Sequence, residues 1–293
     1  GILIPPSIML IVLGDQMRIS VGDLFMGAVG PGLFLGVLYI LYIAAIAIFQ
    51  PHKMPPAQIE SAGSFGASLM RLLLDLLAPV ILIAAVLGTI VAGIATPTES
   101  AAIGALGATV LALVSGRLNL KTVATALRDT TKTTAMIIFV MIGATVFSVI
   151  FRKLGGDDMI EDAFAVHEGN PYLVLAMIMG LVFILGFFLE WVEITLVVVP
   201  IVAPVVAGLD FGLNHDQTLI WFAIALSVNL QTSFLTPPFG FALFYLRGVA
   251  PAAIKTWDIY RGIVPFVLIQ VLGLGLVAAF PALATWLPDW LFK

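Results

Sequence analysis

The 293-residue sequence contains no cysteine, only three histidines and few charged residues. The absence of cysteine excludes disulfides, thiolate metal ligands and thiol nucleophiles. Charged residues make up 10% of the chain and hydrophobic residues 61%, with a mean hydropathy of +1.15. Soluble globular domains have about a quarter charged residues and about half apolar residues. The composition therefore predicts an all-helical, polytopic membrane protein in a lipid bilayer.

Several functional classes lack their usual sequence signals. The net charge of −4 gives no basic face for nucleic acid, and no G-x-x-x-x-G-K-[ST] loop for ATP is present. The three histidines, His52, His167 and His215, all fall in predicted loops. We therefore expect no enzymatic activity and no cofactor, with an intramembrane enzyme and a passive channel kept as alternatives to a transporter.

The sequence begins at Gly1 inside an apolar run, without a methionine or a basic leader. No signal peptide can be recognised in such a start. We expect an N-terminal portion of the protein to precede Gly1.

An interrupted helix is predicted at 229–240, N-L-Q-T-S-F-L-T-P-P-F-G, within an apolar segment of membrane length over 217–247. Pro237 and Pro238 supply no backbone N–H and clash with the preceding turn, so nearby carbonyls lose their helical donors. Such breaks hold ions or substrates in secondary transporters. A proline kink satisfied by neighbouring helices is the alternative. The candidate binding residues here are Asn229, Gln231, Thr232, Ser233, Thr236, Pro237, Pro238 and Gly240.

A second proline pair lies at the start of the chain, in G-I-L-I-P-P-S-I. Its likeness to L-T-P-P-F-G at 235–240 predicts an internal repeat, in which each half contributes one broken helix. A chance pairing of prolines is the alternative. The site candidates of this first repeat are Gly1, Pro5, Pro6 and Ser7.

Proline-rich residues 51–70 predict an exposed linker between the two repeats. Residues 1–50 then form the end of the first repeat and residues 71–293 form the second. Segments long enough to cross a hydrocarbon core of about 30 Å are predicted at 27–49, 71–94, 97–115, 133–151 and 258–287. Most Lys and Arg residues lie in loops that the positive-inside rule places in the cytoplasm, namely 50–71, 116–132 and 247–261.

Residues 172–208 contain two apolar runs separated by E-W-V-E. The flanking acidic loops both lie outside in this orientation, so the segment makes an even number of crossings. Glu190 and Glu193 would each cost about 2.5–3.5 kcal/mol at the bilayer centre. This cost favours a re-entrant hairpin whose turn, from Gly186 to Glu193, faces an aqueous cavity and a bound cation. Two full spans with both carboxylates at the cytoplasmic surface are the alternative.

The sequence A-T-P-T-E at 95–99 predicts the start of a helix. Thr96 suits the N-cap, Pro97 the first helical position, and Glu99 the third residue after the cap, which together make a capping box. Thr96, Thr98 and Glu99 are also weaker candidates for ion contact, although capping accounts for them locally.

Six ordered motifs resemble one family across the whole chain. They are G-I-L-I-P-P-S-I at 1–8, P-G-L at 31–33, A-T-P-T-E-S-A-A at 95–102, G-F-F-L-E at 186–190, V-P-I-V-A-P at 199–204 and T-P-P-F-G at 236–240. Together they resemble the large membrane subunit (DctM-like, M subunit) of tripartite ATP-independent periplasmic (TRAP) transporters.

The resemblance implies an elevator-type importer in the bacterial inner membrane that couples a small organic acid to sodium. It also implies two partners: a small membrane subunit of the Q type, separate or fused, and a periplasmic binding protein that delivers the substrate. Sodium ions would lie between the turn of the hairpin and the break at 229–236, and between residues 5–7 and a first hairpin. That first hairpin is absent from this sequence, and Glu190 stands where the family more often has Asp.

Overall fold

The computed structural model describes residues 3–53, 65–165, 169–237, 240–251 and 254–292. Gly1, Pro238, His167 and most of the predicted linker lie outside the described residues. The described part is helical, without strands. Its helices are α1 (Ile8–Met17), α2 (Val21–Phe49), α3 (Phe65–Val91), α4 (Pro97–Val114), α5 (Leu120–Lys153), α6 (Gly156–Ala165), α7 (Pro171–Leu185), α8 (Trp191–Ala207), α9 (His215–Ser233), α10 (Phe241–Val249), α11 (Thr256–Ala279) and α12 (Ala282–Phe292).

Four of these helices are long and apolar enough to cross a membrane: α2, α4, α5 and α11. Little of each is buried within the protein, with 6 to 17% of the most apolar window covered. Large apolar side chains along them are therefore exposed, as expected for surfaces that face lipid tails rather than water. The predicted fold class, an all-helical polytopic membrane protein, is confirmed at this level.

The chain forms two compact units, one of residues 1–39 and 134–293 and the other of residues 40–133. In the first unit, α9 is the central helix and packs against α1, α7, α8, α11 and α12. Nearly every residue from Ile220 to Ser233 is buried. Buried Trp221 fixes α9 to α11 by donating its indole N–H to the carbonyl of Val277 at 2.7 Å.

The second unit contains a helical hairpin of α3 and α4. The Thr89 and Ser100 hydroxyls lie 2.9 Å apart across it. A Cβ at Gly104 would lie 3.1 Å from Val86, so the absence of a side chain permits the close approach of the two helices.

Some predicted boundaries differ from the structure: charged segments that lack helix breakers continue as helix, whereas one predicted span is interrupted at a proline. The predicted loop at 116–132 is helical from Leu120 onward and continuous with the span α5, since its Ala, Leu, Lys and Thr residues include neither Gly nor Pro after Gly116. The acidic loop after α5 contains α6. The predicted span 258–287 is instead two helices, which separate at Phe280 and Pro281.

Candidate functional site

The central helix α9 ends at Ser233, residues 234–237 are not helical, and α10 begins at Phe241. In the last turn of α9, the hydroxyls of Thr232 and Ser233 donate to the carbonyls of Asn229 and Leu230, each at 2.6 Å. A hydroxyl that has given its proton to a backbone carbonyl keeps its oxygen lone pairs for another partner. Both oxygens can therefore accept a donor or contact a cation.

Two backbone hydrogen bonds link the segment that follows α9 to the start of α10. The N–H of Gly240 donates to the carbonyl of Thr236 at 2.9 Å, and the N–H of Ala242 donates to the carbonyl of Phe234 at 3.2 Å. Gly240 is required sterically, since a Cβ there would lie 2.9 Å from both carbonyl oxygens. Thr236 is 5% exposed and Pro237 half-buried, so protein covers most of the Thr236 side chain.

The turn between α7 and α8 lies directly against the end of α9. A Cβ on Gly186 would lie 3.1 Å from the Cβ of Ser233. One turn earlier in α9, the side-chain N–H of Asn229 donates to the carbonyl of Met179 in α7 at 2.7 Å. A cavity of about 230 Å³ lies between them. Its lining residues are Gly186, Phe188, Leu189, Glu190, Glu193, Ser233 and Phe234; we call it the tip cavity.

Two carboxylates stand at the N-terminal end of α8 in the tip cavity. Glu190 is the N-cap residue and Glu193 lies in the first turn, where the positive end of the helix dipole stabilises negative charge. Partial burial, and then the neighbouring charge of Glu193, raise the pKa of Glu190, which lies in the turn outside the apolar helices. Within the described part of the chain, Oε2 of Glu193 is buried without a hydrogen-bond partner.

Oδ1 of Asn229 and Oγ1 of Thr195 are among the other buried oxygens of the described residues that lack hydrogen-bond partners. Thr195 is fully buried within a π-helical stretch of α8, Ile194–Val198. Stretches of π-helix frequently mark functional sites because they redirect side chains. The sequence analysis did not identify Thr195. The signal that the sequence offers is one hydroxyl residue within the apolar run that begins at Ile194, four residues after Glu190.

Gln231 does not face the tip cavity with its neighbours. It lines a separate cavity of about 350 Å³ on another face of α9, together with Tyr39 and Phe234. The helical period explains this separation, since residues two apart on a helix point in different directions whereas residues three or four apart share a face. The structure thus places Ser233 and Gln231 at different cavities.

The first proline pair also stands immediately before a helix. Ser7 is the N-cap of α1, and its hydroxyl accepts from the N–H of Leu10 at 3.5 Å. Ser7 is 5% exposed, whereas Pro6 is exposed. Ser7 therefore has a local structural role, and its predicted contact with an ion stays a prediction.

The predicted capping box at the start of α4 is confirmed. The Thr96 hydroxyl accepts from the N–H of Glu99 at 3.3 Å, and the Glu99 carboxylate accepts from the N–H of Thr96 at 2.7 Å. Thr98 is exposed. These contacts account for Thr96 and Glu99 without an ion.

Comparison with known proteins identifies the family. The family described as "Tripartite ATP-independent periplasmic transporter, DctM component" matches residues 1–283. The sialic acid TRAP transporter large permease protein SiaM of Vibrio cholerae is 32% identical over 290 residues. The C4-dicarboxylate large permease DctM of Pseudomonas aeruginosa is 30% identical and the ectoine large permease TeaC of Halomonas elongata 31% identical, each over 292 residues.

Each of these alignments covers 99% of this chain and 65% of the relative. The chain thus spans about two thirds of the length of the curated relatives that it matches. The relatives are permeases rather than enzymes, and the apolar helices agree with the predicted position in the bacterial inner membrane. On the match over residues 1–283, the chain belongs to the DctM family of TRAP transporter large permease proteins.

Proposed function

We propose that this chain belongs to the large permease subunit of a sodium-coupled secondary transporter that imports a small organic acid. The observation that carries the proposal is the contact between the turn after α7 and the broken end of α9. This contact brings the Glu193 carboxylate to the same cavity as the end of α9. The hydroxyls in the last turn of α9 already donate their protons to backbone carbonyls of that helix.

The chemistry around this contact suits a hard cation such as sodium. Oxygen ligands are available from the carboxylate of Glu193, from hydroxyls of the last turn of α9, and from the carbonyl and side chain of buried Asn229. Hard cations prefer carboxylate, carbonyl and hydroxyl oxygens. The buried oxygens without partners support this assignment, because such atoms cost about 1–3 kcal/mol each unless something satisfies them.

The names of the relatives support a small organic acid as the substrate. The names of two relatives specify sialic acid and C4-dicarboxylates, which are organic acids. An anion binds beside Glu190 and Glu193 only when a cation offsets their charge, and this linkage would make the coupling between the two ligands reciprocal. A periplasmic binding protein would deliver the acid, and a small Q-type membrane subunit would complete the complex.

The lengths of the two hairpin helices support re-entrant, elevator-type transport. Helix α7 has 15 residues and α8 has 17 over Trp191–Ala207, which gives about 22–26 Å at 1.5 Å per residue, less than the roughly 30 Å of a hydrocarbon core. A short hairpin that rests on a central broken helix can move with it as one body. Such motion would carry ion and acid together across the membrane.

Sodium titration of uptake tests the site. In the complete complex, with its binding protein in proteoliposomes, Thr232→Val and Thr236→Val should each raise the sodium concentration needed for half-maximal uptake, because an isosteric methyl replaces an oxygen. Thr109→Val is a matched control, since the Thr109 hydroxyl also donates to a helix carbonyl, at 2.8 Å, but on an exposed surface. An unchanged sodium requirement would refute the assignment, and non-saturable flux would indicate a channel.

A further inference from the structure

The cavity lined by Gln231 holds polar groups that the proposed sodium site does not use. Its walls come from α2, the end of α9, α10 and α11, and its volume is about 350 Å³. The lining residues are Tyr39, Gln231, Phe234, Leu235, Ala242, Ile263 and Phe266. We call it the rear cavity.

Buried polar atoms without hydrogen-bond partners gather at the rear cavity. Among the described residues these include the hydroxyl of Tyr39 and Oε1 of Gln231, both from lining residues. Gln270 is fully buried behind the cavity wall rather than in it, one helical turn after Phe266 on α11. Its amide interacts with the Tyr39 hydroxyl, but no well-formed hydrogen bond joins the two. The ring centroids of Tyr39 and Phe266 lie 5.4 Å apart.

The chemistry of these atoms points to a neutral ligand. They include acceptor oxygens, an amide that donates, and a hydroxyl that both donates and accepts hydrogen bonds. None of the described lining residues carries a charge. Water donates and accepts, and buried water commonly satisfies such groups. The volume far exceeds the roughly 10–15 Å³ that one water needs.

We propose that the rear cavity is a water-filled chamber inside the membrane-embedded protein, and that the side chain of Phe234 separates it from the tip cavity. Phe234 contributes to the walls of both cavities. The broken end of α9 is then hydrated on two faces, with one aromatic side chain between the two bodies of water. This inference goes beyond the proposed function, since the hydration of the rear cavity does not depend on sodium.

Thiol labelling tests the chamber directly, because the chain has no cysteine of its own. In the complete complex in proteoliposomes, with background labelling of the partner subunit subtracted, the probe is the permanently charged reagent 2-(trimethylammonium)ethyl methanethiosulfonate. Ala242→Cys lies in the chamber. Leu268→Cys lies on the exposed apolar face of α11, Val228→Cys lies in the dry core, and Asp216→Cys lies on an exposed polar turn.

The expected rate at Ala242→Cys is within about tenfold of that at Asp216→Cys and at least about 100-fold above those at Leu268→Cys and Val228→Cys, because thiolates do not form in apolar surroundings. Labelling at Ala242→Cys as slow as at Leu268→Cys, in a complex that remains monodisperse, would overturn the proposal. Tyr39→Phe gives a second measurement, at a residue that lines the chamber. We expect no rise in melting temperature, since water already satisfies the hydroxyl; a rise would show a dry, unsatisfied hydroxyl and would also overturn the proposal.

The separating role of Phe234 has its own test. Phe234→Ala joins the two cavities, so sodium entry without binding protein should rise several-fold above wild type, whereas Phe266→Ala, which enlarges only the rear cavity, should leave it near wild type. Unchanged entry in Phe234→Ala would refute the separation. The sodium-entry experiment rests on the proposed sodium site, whereas the thiol-labelling experiment does not. Failure of the water-filled chamber is therefore distinguishable from failure of the proposed sodium site.

Discussion

Gly240→Ala probes the turn on which the proposed site depends. The new Cβ would lie 2.9 Å from the carbonyl oxygens of Phe234 and Thr236 and 3.1 Å from the backbone nitrogen of Thr236. All three atoms belong to the backbone, so no side chain can move aside to relieve the contact. The turn itself must shift by several tenths of an ångström, and Thr236 shifts with it.

Two opposing contributions set the change in the free energy of unfolding on Gly240→Ala. Gly240 has φ −57° and ψ 102°, which alanine adopts without strain, so the substitution gains about 0.4–1 kcal/mol from a less flexible unfolded chain. Forcing a methyl group into a closed site costs about 1–3 kcal/mol. The steric term is larger, and we expect a net loss of about 1–2 kcal/mol.

Gly248→Ala is the matched control, because Gly248 lies in α10 and a Cβ there meets no atom within 4 Å. Gly248 lies in the last turn of α10, so alanine there should stabilise by no more than the roughly 0.5–1 kcal/mol that it contributes in a helix interior. The assay compares melting temperatures of the purified complexes and the sodium dependence of uptake. We expect Gly240→Ala to melt lower and to need more sodium. The reasoning fails if Gly240→Ala matches wild type in both measurements, or if Gly248→Ala is equally damaged.

Three further substitutions test separate contacts. Gly186→Val should push the hairpin turn off the end of α9 and raise the sodium requirement, whereas Gly180→Val, with open space at its Cβ, should not; equal effects would contradict the contact. Trp221→Phe leaves the buried carbonyl of Val277 without its donor, at a cost of about 1–3 kcal/mol, and an unchanged melting temperature would show that the bond contributes little. Thr96→Ala should weaken the start of α4 by about 1 kcal/mol, seen as faster amide exchange in its first turn, and unchanged exchange would argue against the cap.

The sequence predicts helix caps and helix breaks wherever they depend on residues within one turn of backbone. The capping box at Thr96 and Glu99 needs residues only three apart, so the motif and the structure agree. Paired prolines remove backbone donors wherever they stand, and the interruption after Ser233 follows from that. Boundaries were less predictable, because a charged segment such as 120–132 continues as helix when it lacks glycine and proline.

Contacts between distant segments required the fold. Nothing in the sequence shows that Gly186 lies against Ser233, or that the side chain of Asn229 is held by the carbonyl of Met179. The assignment of Gln231 to the rear cavity and the burial of Thr195 also depend on which helices surround α9.

The sequence by itself determined that this chain is a helical membrane protein with interrupted helices, because composition and proline placement act through solvation and local hydrogen bonding. The tertiary structure alone decided which oxygens share a cavity. A helix has several faces, and only packing against its neighbours selects the face that meets lipid, a carboxylate or water.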